Sequence, residues 1–204
     1  MKRNITCLCS ANFQFEYNDE IDLDVNPKIL EEISKGTFMS STCPACNKNH
    51  KPEFNISLIW KSKNLKMNVI PELERGEFYR NKKDVKDIET IISYPEMADR
   101  LAVIKDDLEP VVIETLKSFI LAKAAENYPD KDINAWYHCN TDSGVEFHLD
   151  GIRVGEVAVM RIPKDVYEKT LLDYKKHPKN TNFTSLRVRS YMSVQNILRP
   201  DALK

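Results

Sequence analysis

Apolar and polar residues alternate from Phe13 onward, with Phe13, Phe15 and Tyr17 in one run, Ile21, Leu23 and Val25 in the next, and polar residues at 18–20 between them. A period of two belongs to a strand with one covered face, so this stretch predicts a hairpin turning at 18–20. The period then lengthens. Asn26-Pro27 offers a cap and a first-turn proline, "KILEEISK" carries helical spacing, and Gly36 stands where a helix ends, which predicts a helix over about 27–35. "FNISLIW" and "LKMNVI" predict two further strands joined by a polar turn at 61–64, with Pro71 closing the second.

The charged stretch "ELERGEFYRNKKDVKD" has few apolar anchors and predicts a linker or exposed loop. "IETIIS" predicts a strand, and Ser93 and Glu96 have capping-box spacing for a helix over about 95–105. A longer helix over about 108–127 has Val112, Leu116, Phe119, Ile120 and Ala124 as its apolar face, with its lysines and glutamates expected in solvent, until Pro129 stops it. "INAWYHCN", "VEFHLD" and "GEVAVMRI" predict three antiparallel strands, the first two joined by "TDSG". Pro163 opens another helix, and the tail offers a strand and a short helix capped by Ser193. The expected class is α+β: an N-terminal zinc-ribbon-like β module with an inserted short helix, then a helix pair and a small antiparallel sheet with flanking helices. The expected domains are a cysteine-paired module at 1–72, a charged linker or loop at 73–87, and an α+β domain at 88–204.

Composition narrows the functional classes. At 204 residues, 42% hydrophobic and 30% charged, with a formal net charge of -1, the chain suits a folded soluble protein and lacks the basic excess of a general nucleic-acid binder. "LRVRSY" and "YKKHPKN" are local basic segments without interleaved aromatics, so a nucleic-acid partner is thinly supported. The longest apolar segment, "LKSFILAKAA", contains lysines, and the first residues show no secretory apolar run. The expectation is a cytoplasmic protein without a membrane partner.

The five cysteines fall as two close pairs, Cys7/Cys9 and Cys43/Cys46, plus Cys139. Without an export signal this favours metal ligation over disulfides. Cys43-Pro44-Ala45-Cys46 suits a zinc knuckle, whose turn aims backbone amides at the sulfurs, and Asn47 can adopt the left-handed conformation that follows. Cys7-Leu8-Cys9 has a tighter bite. A structural Zn2+ held by Cys7, Cys9, Cys43 and Cys46 is the reading this spacing favours. Four buried unmetallated thiols, or a redox sensor whose oxidation releases zinc, are the alternatives. His50, four residues after Cys46, has a usable ligand spacing as a substitute for one cysteine of the first pair.

These cysteines, with "DVNPKILEEISKGTFMSSTCPAC" and "FNISLIWKSKNLKMNVIPE", resemble the CpXC family of bacterial and archaeal proteins, and the likeness extends more weakly over about 5–125. The resemblance implies a metal-binding cysteine module followed by α and β elements, with no assigned activity. The chain departs from the family pattern at Cys-Leu-Cys and at Asn47, where a glycine is usual. The order of a Cys-x-Cys and a Cys-x-x-Cys is also similar to that of a bacterial redox-regulated holdase chaperone.

A second constellation lies in "WYHCNTDSGVEFHLD". With Asn140 opposite Val145, Cys139 faces Glu146 and lies diagonally near His148, while Trp136, Val145, Phe147 and Leu149 point to the core. Such a set is either a nucleophile group, making the chain a hydrolase working from the 136–150 hairpin, or a second metal site; simple alternation on an exposed face produces it as well. No phosphate-binding glycine loop, serine elbow or two-histidine zinc helix is present. No residue is therefore assigned a catalytic role, and the expected function is non-catalytic binding or regulation, with an unknown macromolecule or small ligand as partner.

Overall fold

Strand β1 (Lys2–Thr6) pairs antiparallel with β2 (Asn12–Glu16), placing Ile5 opposite Phe13 and Arg3 opposite Phe15, in the computed structural model, which describes residues 1–81 and 88–198. This replaces the predicted hairpin turning at 18–20. The second run instead forms β3 (Glu20–Asp22), which lies parallel to β6 (Ile56–Trp60) with Ile21 beside Leu58. The physical reason is burial. A lone two-stranded hairpin covers little apolar surface, whereas Ile21 and Leu23 are almost wholly buried beside β6, whose own Ile56, Leu58 and Trp60 are buried.

A parallel pair needs a crossover, and the chain between β3 and β6 supplies it. It holds α1 (Lys28–Ser34), closed by Gly36 at φ 64°, and the short hairpin β4 (Ser41–Thr42) and β5 (Asn49–His50). After β6, a single turn over 61–63 ends at Asn64, which has φ 50°, and the chain returns antiparallel as β7 (Leu65–Ile70). The polar turn expected at 61–64 is thus in place.

Part of the charged stretch is helical, as a turn over 72–74 and α2 (Arg75–Arg80); the rest of the linker reading, at 82–87, lies outside the described residues. Arg75 is buried and bonds Glu72 and Glu96, which gives this charged segment an anchor. The predicted strand at "IETIIS" is β8 (Glu89–Ile92), parallel to β7. The Ser93 hydroxyl accepts from the Glu96 amide at 3.4 Å as α3 (Tyr94–Lys105) begins.

The described chain divides into two compact units, one of residues 1–78 and 88–98, the other of 79–81 and 99–198. Within the first, the strands run in the order β8-β7-β6-β3. The second is built on α4 (Pro110–Asn127), with Glu109 at its N-cap and Pro110 in its first turn. Three antiparallel strands follow, β9 (Asn134–Thr141), β10 (Gly144–Asp150) and β11 (Ala158–Pro163), in the order β11-β10-β9. Then come α5 (Lys164–Lys176), α6 (Thr181–Thr184), the small pair β12 (Arg187–Val188) and β13 (Tyr191–Met192), and α7 (Gln195–Leu198), whose first amide donates to Ser193 Oγ at 3.2 Å.

Helix α4 differs from its predicted amphipathic form. Phe119 is half exposed, while Glu114 and Lys117 are buried along with Val112, Ile113 and Leu116. The helix is covered on several sides, and its buried charges persist because they are paired. Lys117 Nζ donates to Glu114 at 2.8 Å and to Asp99. Glu114 also accepts the Val194 amide at 2.7 Å, and Asp99 accepts the Tyr137 amide at 2.6 Å. This network ties α3, α4, β9 and the tail of the second unit to one another. Among the described residues, no helix is long and apolar enough to cross a membrane.

Candidate metal centre

Each cysteine pair sits at the tip of a hairpin, Cys7 and Cys9 between β1 and β2, Cys43 and Cys46 between β4 and β5. The two tips close alike despite their unequal spacing. The Cys43 amide donates to Lys48 O at 2.9 Å and the Asn47 amide to Cys43 O at 3.0 Å; in the shorter tip, the Cys7 amide donates to Ala11 O at 2.9 Å and the Ser10 amide to Cys7 O at 2.8 Å. Asn47 and Ser10 close these loops in the left-handed region, at φ 58° and 70°. Asn47 thus occupies the conformation expected of it, without a glycine. Leu8 points into solvent, so the tighter bite is built from backbone closure rather than packing.

The fold brings all four sulfurs together, each within 4.8 Å of the others. Cys7 Sγ lies 3.6 Å from Cys46 Sγ, and Cys9 Sγ lies 3.7 Å from Cys43 Sγ. Cys7 and Cys43 are buried, Cys9 and Cys46 exposed, so each close contact joins an inner to an outer thiol.

Charge is unequally shared. Burial pushes the Cys43 thiol up, but the amides of Cys46 and Ala45 directed at its sulfur prevail and hold it at about 7. At Cys46 the Lys48 amide favours the thiolate, yet hydrogen bonds to the Cys9 and Cys7 sulfurs, with burial, keep the proton on and push it up to about 12. A cation placed among these sulfurs would favour the thiolate at both Cys43 and Cys46.

His50 stands on β5 beside this set. Its Nε2 is 3.2 Å from Cys7 Sγ, and its ring lies against Phe13 with centroids 5.7 Å apart. It contacts one sulfur of the set, whereas the sequence alone offers it as a substitute for one cysteine of the first pair. His50 follows the second pair on the returning strand of its own knuckle.

The second constellation takes a different form from the expected one. Asn140 is opposite Val145 and Cys139 opposite Glu146, as predicted, but the register shifts at the next step, so that Tyr137 pairs with Phe147 and Trp136 with His148. His138 is the extra residue of a β-bulge. The shift corrects the expected inward face: Ala135 and Tyr137 are buried, while Trp136 is only half-buried and donates to Asp150 at 2.8 Å. The core prefers Tyr137 because Asp106 accepts its hydroxyl. The His138 ring stacks on His148 at 3.8 Å and 18°, and Cys139 Sγ lies 3.7 Å from Glu146 Oε2. Burial, then the Glu146 carboxylate, raise the Cys139 thiol above its ordinary value.

Two cysteine-tipped hairpins facing each other, within a mixed α and β chain, define a protein with a four-cysteine cluster that can hold a metal ion. The model of the CpXC protein family matches residues 5–117, and the chain belongs to that family. A protein of Treponema pallidum (strain Nichols), described as an uncharacterized protein, is 29% identical over 214 residues, covering 95% of this chain and 97% of the relative. No solved structure matches the chain.

Proposed function

We propose that Cys7, Cys9, Cys43 and Cys46 hold a structural zinc ion, and that the first 72 residues form a metal-stabilised module of a non-catalytic, cytoplasmic binding or regulatory protein. One observation carries the metal assignment. A Zn–S bond of about 2.3 Å in a tetrahedron separates its sulfurs by about 3.8 Å, and the two close sulfur pairs stand at 3.6 and 3.7 Å. An all-sulfur set selects soft or borderline cations, zinc foremost, over magnesium or calcium. Four protein ligands leave no coordination position for water, which supports a structural rather than a catalytic ion.

A cavity of about 340 Å³ in the first unit, lined by Ile33, Phe38, Lys51, Glu53, Tyr94 and Met97, is large enough for a small ligand and supports the binding role. The hydrolase reading of the 136–150 hairpin is less well supported, since a thiol held in its protonated form beside a carboxylate is a poor nucleophile. Metal analysis of the purified chain tests the zinc proposal. One tightly held zinc per chain, absent in Cys43→Ser, is the expected result; equal metal in both proteins rejects it.

The exposure of Cys9 and Cys46 favours a second reading, a thiol redox sensor. An oxidant reaches these two first, and their loss opens the coordination shell. Mild peroxide would then release zinc and raise the binding of an apolar dye; full zinc retention and unchanged dye binding reject this reading.

A further inference from the structure

In a regular strand adjacent residues point to opposite faces, so His138 and Cys139 could not serve one ion together. The bulge at His138 removes that constraint. It places a His138 ring nitrogen, Cys139 Sγ and a Glu146 carboxylate oxygen within 4.8 Å of one another on the half-exposed face of the β9–β11 sheet. Alternation alone explains Cys139 and Glu146 on this face; it does not explain His138 joining them.

The surroundings orient the set. Arg161, opposite Glu146 on β11, donates to Oε1 through Nε at 2.8 Å and also through Nη2, which leaves Oε2 turned toward Cys139. His148 stacks on the His138 ring and fixes its plane. A carboxylate hydrogen-bonded by a guanidinium is an outer support expected of a metal ligand, and the stacked ring limits how the imidazole turns.

We infer that His138, Cys139 and Glu146 form a second cation site, distinct from the four-cysteine cluster, for a borderline divalent transition ion of the zinc class. One nitrogen, one sulfur and one oxygen match that class of ion, and three protein ligands leave a fourth position for water or an exogenous donor. The site is on the surface, so its ion exchanges, in contrast to one enclosed by two knuckles. The inference stands independently of what the four-cysteine cluster holds.

The test uses the full chain, stripped with a strong chelator under reducing conditions and titrated with zinc alone. Wild type is compared with His138→Ala, Glu146→Gln and a surface control, His177→Ala. The readout is the difference in bound zinc, so occupancy of the four-cysteine cluster cancels. The expected result is one equivalent fewer, or a dissociation constant weakened at least tenfold for that equivalent, in His138→Ala and Glu146→Gln, with His177→Ala matching wild type. Because the His138 side chain is exposed, its replacement leaves the fold intact, which circular dichroism checks. Equal zinc in wild type and His138→Ala, or an equal loss in His177→Ala, overturns the inference.

Discussion

His50 Nε2 stands 3.2 Å from Cys7 Sγ, linking the returning strand of one hairpin to the first sulfur of the other. With a proton on Nε2 the imidazole donates to the sulfur and aims it. Removing such a partner typically weakens metal affinity about 10–100-fold. His50→Ala is expected to keep four-thiolate stoichiometry but lose zinc to a competing chelator that much more readily. An unchanged competition curve would show that His50 only packs on Phe13.

If the ion is structural, its removal unfolds the module that holds it. For small zinc modules, binding supplies on the order of 10 kcal/mol. Strong chelation should therefore abolish amide protection at the Cys7 and Cys43 amides, which close the two tips. Protection in β9 and β10 of the second unit should persist. Hydrogen exchange followed by mass spectrometry reads both; protection retained at the tips would count against a structural ion.

Lys117 neutralises two buried carboxylates, and an apolar isostere removes that charge from Asp99 while Glu114 keeps Arg100 Nη2 at 4.0 Å. Breaking such a group is expected to destabilise the second unit by about 3–5 kcal/mol in Lys117→Met, measured by denaturant unfolding. A loss below about 1 kcal/mol would contradict this account of α4.

The same network predicts a pH dependence on the alkaline side. Desolvation pulls Lys117 down, but Asp99 and Glu114 outweigh it and hold it above its ordinary 10.5. A raised folded value means that the stabilisation is complete below about 10.5 and is lost as pH rises through the folded value. Burial raises Tyr137 in the same sense. On the acid side Asp99 is raised and Glu114 lowered, so their effects oppose one another. Stability should thus fall steeply above pH 10.5, and less steeply in Lys117→Met; parallel curves would reject the assignment.

Gly144 opens β10 at φ 151°, and a Cβ there would meet Ile162 O at 2.1 Å. Gly155 has φ 76° and open space around it. Gly144→Ala is expected to cost on the order of 3 kcal/mol, and Gly155→Ala about 1 kcal/mol, because only the first adds a backbone clash to the conformational strain. Comparable losses at both sites would show that β11 yields easily.

Local chemistry made much of this protein legible in advance. Cys43-Pro44-Ala45-Cys46 with Asn47 specifies a knuckle through contacts a few residues apart, and the caps at Gly36 and Ser93 bound their helices for the same reason. The "TDSG" turn sets Asn140 against Val145, since a short turn leaves little choice of register. What the sequence could not decide depends on partners distant along the chain. Alternation states that Ile21 and Leu23 need a covered face but not which strand covers them, and β6 won over a local hairpin because it buries more. Periodicity cannot see that Lys117 is buried, because its partner Asp99 arrives from another helix. The bulge at His138 likewise follows from the fit of Tyr137 into the core and its bond to Asp106. That packing choice, made only in the folded chain, turned an ordinary outer face into a candidate ligand set.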